Sequence, residues 1–123
     1  SKGDMITAAF KSICYQTKDI TELLKQNNIA INSLFIDGGM AANKTFCQLL
    51  SDTLQENILR PHNIESTALG ACIVSQISEG VLIDDIRSQI ENSYEPQKSL
   101  RNFLDTDYKI WKNYLEKTIS NIK

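Results

Sequence analysis

"SLFIDGGMAANKTF", Ser33 to Phe46, is the stretch whose reading decides the fold. A short apolar run, Leu34 to Asp37, ends in an aspartate and two glycines, and a helix-forming sequence follows. Lacking polar alternation, the run is predicted to be a strand buried on both faces, as parallel strands are. Gly38-Gly39 breaks it. Asn43 to Leu54 is predicted to be a helix with Phe46, Leu49 and Leu50 facing inward. A parallel strand that turns sharply into a helix puts the turn on the edge where open α/β sheets bind ligands. Glycine there tolerates positive φ and has no Cβ, so a planar or charged group can lie on the backbone. The helix start that follows offers unpaired N–H groups and partial positive charge, which suit a phosphate. The Asn43 amide can donate to and accept from a nucleobase or ribose. Asp37 can accept from the N–H groups of the turn. A tight turn with Asn43 acting only as a helix cap accounts for the same residues equally well. The pattern is neither GxGxxG nor a P-loop, since no GK[ST] follows.

Working outward, Asp4 to about Asn27 reads as an amphipathic helix. Ile6, Phe10, Ile13, Thr17, Ile20 and Leu24 form its apolar stripe, and Asp4 is the candidate cap. Asn57 to Arg60 is a second strand, stopped by Pro61. Ser66 or Thr67 can cap a third helix that runs to Glu79 and stops at Gly80. The small residues Ala68, Gly70 and Ala71 would let that helix approach a neighbour closely. Ile83 to Ile90 reads as a short helix, "YEPQKSLRN" as an irregular polar segment, and Asp105 to Ile122 as a last helix striped by Tyr108, Trp111, Leu115 and Ile119. The organisation is a single α/β unit: a helix over 4–27, a strand–helix–strand–helix core over 33–80, and C-terminal helices over 83–123. Two parallel strands make a poor sheet with both edges open. The sheet is therefore expected to be completed by strands outside this chain, which would make the chain a piece of something larger. An open edge on the 34–37 or the 57–60 strand predicts self-association.

The 123 residues fit one domain, 41% are hydrophobic and 23% charged, all ordinary for a soluble protein. A net charge of −2 without a dense Lys/Arg cluster gives no sign of nucleic acid or an anionic membrane as partner. Cys14, Cys47 and Cys72 are scattered and odd in number, with no CxxC. They read as small buried thiols of a reducing cytosol rather than a disulfide framework or zinc site. His62 reads as a solvated loop residue, and Glu65-Ser66-Thr67 as a helix cap. Tyr108 and Trp111 read as core rather than a base-stacking pair, and Lys109, Lys112, Lys117 and Lys123 as a solvated face.

The run "FIDGGMAANKTFCQLLSDTLQENILRPHNIESTALGACIVSQISEGV" resembles the C-terminal part of the glycerol kinases, members of the FGGY carbohydrate kinases in the actin/hexokinase/Hsp70 superfamily. "DMITAAFK", "SICYQTKDI" and "YEPQKSLRN…YKIW" agree, so the resemblance covers about residues 4 to 115. The departure is Lys11, where the family has an acidic residue or Gln. The resemblance implies an α/β, ribonuclease-H-like fold: the last part of the second of two such domains, with MgATP bound between them. It implies that Gly39 and Asn43 match ADP-contacting positions, that Gly38 neighbours them, and that Asp37 is structural. It also implies that the catalytic aspartate, the glycerol-binding residues and the groups that position Mg2+ lie upstream, so that no catalytic or metal-binding residue falls in this chain. Phosphoryl transfer needs both walls of the cleft, so the chain alone is expected to be inactive. Another FGGY kinase, for a pentose, polyol or gluconate, or a non-catalytic module of the same fold, is the alternative. The Glu95 to Arg101 segment resembles a region where some bacterial glycerol kinases bind a regulatory protein, but nothing in these residues marks that role.

Overall fold

In the computed structural model, residues 1–80 and 90–121 are described. Helix α1 (Lys2–Gln26) is capped by Ser1, whose hydroxyl accepts from the Asp4 N–H. Asp4, the expected cap, is instead the acidic member of a capping box, its carboxylate returning to the Ser1 nitrogen. Strand β1 (Leu34–Phe35) leads into a 3-10 turn (Gly39–Ala42) and helix α2 (Lys44–Leu54). Strand β2 (Ile58–Pro61) leads to helix α3 (Ser66–Ser78). Strand β3 (Ile90–Tyr94), a 3-10 turn (Lys98–Leu100) and helix α4 (Arg101–Ser120) complete the order.

The sheet is three-stranded, in the order β1-β2-β3. β1 and β2 are parallel, with Leu34 opposite Ile58 and Phe35 opposite Leu59. β3 runs antiparallel to β2, pairing Ile58 with Tyr94 and Arg60 with Asn92, and the register slips between Arg60 and Pro61. Pro61 therefore ends the strand inside it rather than stopping it one residue earlier, and the slip sits where proline cannot donate. Two expectations are corrected. A third strand, read in the sequence as the end of a helix and the start of an irregular segment, covers the second edge of β2. The outer edges of β1 and β3 lack a paired strand among the described residues, in keeping with an open edge on the 34–37 strand. β1 itself is not buried on both faces: Phe35 is 60% exposed, because nothing covers that side of an edge strand. The rest of the helix expected over Ile83 to Ile90 lies outside the described residues.

The core is a cluster of Cys14, Phe46, Leu50, Leu54 and Ile58, with Phe10, Leu34, Ile36, Leu49 and Tyr94 packed against it. Phe10 meets Phe46 edge-on, with ring centres 5.3 Å apart. The predicted inward face of α2 is therefore the one that is buried. That of α1 is not. Ile6 and Ile20 are 57% and 61% exposed, while Cys14, Tyr15, Lys18 and Thr21 are buried. The reason is what α1 packs against. Its second partner, α4, presents carboxylates and aromatic rings, and α1 turns its lysines and tyrosine toward them.

Lys11 Nζ and Tyr15 Oη both donate to Asp107, at 2.5 and 2.7 Å. Lys18 Nζ donates to Asp105 at 2.5 Å and to the Thr53 carbonyl at 3.0 Å. Tyr108 Oη donates to Asp19, which also accepts from Lys112 Nζ at 2.8 Å. The two tyrosines thus reach across in opposite directions, each to an aspartate of the other helix. The Tyr15 ring lies 5.8 Å from Tyr108 and 5.7 Å from Trp111, so the aromatic pair is core-facing as expected. Lys112, expected on a solvated face, is part of this seam.

Helix α3 departs furthest from expectation. None of its residues is buried, Cys72 included, and a Cβ added at Gly70 would meet nothing within 4 Å. The small residues do not bring it against a neighbour among the described residues. Neither Ser66 nor Thr67 caps it; Glu65 holds the cap position without a side-chain bond. Gly80, at φ +77°, follows it as the expected stop.

Candidate functional site

Gly38 and Gly39 sit at the C-terminal end of β1, where the chain leaves the sheet for α2. Gly38 has φ +83° and ψ 178°, a conformation open in practice to glycine alone. Its N–H donates to the Ile64 carbonyl at 2.8 Å, and its carbonyl accepts from the Ala41 N–H at 2.9 Å, which starts the 3-10 turn. Gly39 lies outside the left-handed region, and a Cβ built on it would meet nothing within 4 Å. Neither backbone conformation nor packing within the chain calls for glycine at 39. The bare backbone there faces open space that a bound group can occupy.

Asn43 is the N-cap of α2, with Oδ1 accepting from the Phe46 N–H at 3.1 Å. Its Nδ2 group donates to no partner among the described residues, and the residue is exposed. The amide therefore divides its work: the oxygen holds the helix start, and the nitrogen is available to a ligand. Gly38, Gly39 and Asn43 share one short segment on one edge of the sheet, so all three expected positions come together.

Two long-range contacts support this segment: those of Arg60, and the bond from Ser66 to Asp37. The sequence places Arg60 only at the end of a strand. Its Nη1 donates to the Ala41 carbonyl at 3.5 Å, and its Nη2 donates to Asn92 at 3.0 Å and pairs with Glu91. It thereby ties β2 and β3 to the turn. Asp37 accepts from the Gly38 N–H and, across the turn, from the Ser66 N–H at 3.4 Å. The Ser66 side chain above all, with the Gly38 and Ser66 N–H groups, holds its carboxyl below the usual range against desolvation. Such pairings leave no local trace in a sequence: Asp37 and Ser66 are 29 residues apart, Arg60 and Glu91 31 apart.

The cavities lie elsewhere. One of about 320 Å³ is apolar and runs between α1 and β1, lined by Ile13, Phe35, Ile36, Met40 and Phe46 among others. It reaches the site only through Asp37 and Met40. His62 is exposed, in line with a solvated loop residue. No cluster of metal-ligating side chains and no helix long and apolar enough to cross a membrane occurs among the described residues.

Comparison with known proteins gives the family and the fold. A profile of the FGGY family of carbohydrate kinases, C-terminal domain, matches residues 1–78. A glycerol kinase from Marinomonas sp. is 36% identical over 100 residues, covering 78% of this chain and 20% of the relative. One from Halobacterium salinarum is 31% identical over 124 aligned positions, covering 97% of this chain and 24% of the relative. The chain thus spans about a fifth to a quarter of the length of these relatives. Among solved structures, the xylulose kinase from Rhodospirillum rubrum superimposes with TM-score 0.76 at 17% identity, over 99% of this chain and 26% of that one. A Plasmodium falciparum glycerol kinase, in a crystal structure with ADP, superimposes with TM-score 0.67 at 22% identity, over 92% of this chain and 24% of that one. The fold is accordingly α/β, part of a ribonuclease-H-like domain of the actin/hexokinase kind, and the chain belongs to the FGGY family of carbohydrate kinases, matching its C-terminal domain.

Proposed function

We propose that this chain forms the adenosine side of the nucleotide site in an ATP-dependent glycerol kinase, which converts ATP and glycerol to ADP and sn-glycerol 3-phosphate. The observation that carries the reading is Gly39. It is a glycine that neither its backbone nor its neighbours require, beside the Asn43 donor and at the ligand-binding edge of a parallel pair. The nucleotide would lie over Gly38 and Gly39, with Asn43 Nδ2 reaching the adenosine part. The glycerol kinase relatives supply the substrate side of the proposal. The chain as a whole would be the last part of the enzyme's second domain, working in the cytoplasm.

The remaining wall of the cleft, the base for the glycerol hydroxyl and the Mg2+ ligands belong in this reading to the N-terminal part of the same enzyme. The 123 residues alone are then inactive, because one wall cannot position both reactants. Detectable ATP-dependent phosphorylation of glycerol by the isolated chain would overturn that statement.

Asn43→Ser in the full-length enzyme tests the site, since serine keeps a capping oxygen and removes the amide donor. The KM for ATP is expected to rise about three- to tenfold, the size of one neutral hydrogen bond, with the KM for glycerol nearly unchanged. An unmoved ATP KM removes Asn43 from the site.

A further inference from the structure

One side chain joins the glycine turn to α3. Asp37 Oδ1 accepts from the Gly38 N–H at 2.5 Å and from the Ser66 N–H at 3.4 Å, and Ser66 is the first residue of α3. The Gly38 N–H is shared with the Ile64 carbonyl, which brings the segment before α3 to the same point. α3 has no side-chain cap of its own and buries none of its residues. Its N-terminal anchor therefore fixes where the helix starts. A carboxylate at that anchor also matches the positive end of the helix dipole. The same charge argues against direct contact with a nucleotide, because an ionised carboxylate repels phosphates.

We propose that Asp37 is a positioning residue for the nucleotide: it locks the Gly38-Gly39 turn to the first turn of α3, so that the surface under the nucleotide is held in one arrangement before the ligand arrives. The proposal rests on the nucleotide reading above. Asp37 acts through the backbone of Gly38 and Ser66 and touches no substrate.

The test uses the full-length enzyme that carries this chain. Amide hydrogen exchange is followed in the peptides spanning 37–42 and 65–69, and ADP binding is measured by calorimetry. In Asp37→Ala, exchange over 65–69 is expected to quicken about tenfold without nucleotide, and the ADP Kd to rise about tenfold. Asp37→Asn keeps one acceptor oxygen and should hold both within about threefold of the parent protein. Unchanged exchange in Asp37→Ala overturns the proposal, as does quickened exchange with an unchanged ADP Kd. If the parent protein binds no ADP, the nucleotide reading fails by itself and the positioning role falls with it, whatever the exchange shows. Should Asp37→Ala not fold, Asp37→Ser, too short to reach the Ser66 N–H, is judged by the same two measurements.

Discussion

The molecule has a packed half and an open half, and the candidate site sits where they meet. In the packed half, α1, α2, β2 and α4 bury Cys14, Phe46, Leu50, Leu54 and Ile58, and a seam of ion pairs joins α1 to α4. In the open half, the outer edge of β1 is unpaired among the described residues and no residue of α3 is fully buried. The glycine turn belongs to both: α2 and Arg60 hold it from behind, while its front faces open space. A rigid support behind an uncovered backbone is a sensible arrangement for binding, since it limits the ordering that a ligand must impose.

The largest effects should fall in the packed half. Leu50→Ala or Ile58→Ala is expected to destabilise the chain by about 3 kcal/mol in urea unfolding, the cost of a core cavity. Ile77→Ala in α3 should change stability by less than about 0.5 kcal/mol. Equal costs would break the comparison and show that α3 is covered after all.

The α1–α4 seam should rank next. Asp107→Asn weakens the bonds from Lys11 and Tyr15 and is expected to cost about 1–2 kcal/mol, below the range for a buried charged pair because Asp107 is partly exposed. The pH dependence sharpens the point. Lys11 and Tyr15 hold the Asp107 carboxyl below its usual range against burial. Burial pushes Asp19 up, but the bonds from Lys112 and Tyr108 outweigh it and leave it low. Groups lowered in the folded state contribute fully above their unfolded pKa of about 3.9 and lose that contribution as pH falls through the lower folded values. Lys112, raised chiefly by its bond to Asp19, contributes fully below about 10.4 and loses its share as pH rises beyond that. Trp111 fluorescence should therefore be flat between about pH 4 and pH 10 and change at both ends. A transition centred near about pH 6 to 7, the range of an ordinary histidine, would contradict the seam as described.

The smallest effect on stability, with a distinct readout, is expected at the edge. Phe35→Lys should alter stability by less than about 0.5 kcal/mol, since Phe35 is already largely exposed. It should also abolish the concentration-dependent self-association expected of the isolated chain through β1, because lysine on an edge strand opposes pairing. Light scattering that finds the parent chain strictly monomeric at high concentration removes this expectation.

Much of the site was legible in the sequence because it is local. Asp37, Gly38, Gly39 and Asn43 lie within one turn, and strand, glycine pair and capped helix each follow from neighbours a few residues apart. The α2 face was legible for the same reason. β3 was harder to see, although Ile90, Asn92 and Tyr94 alternate with Glu91 and Ser93, because a polar strand is recognised mainly by the partner it pairs with. The α1 stripe misled because periodicity reports that a helix has an apolar face, without saying whether the chain itself covers that face.

By itself, then, the sequence determined the order of helices and parallel strands, the glycine turn at the strand's end and the cap of α2, all set by backbone preference and near-neighbour sterics. Only the tertiary structure decided that Lys11, Lys18 and Lys112 turn inward to aspartates, that a third strand closes β2, and that Asp37 and Arg60 brace the turn from distant elements. Those contacts join residues far apart in the chain, and their energies exist only once the elements have met.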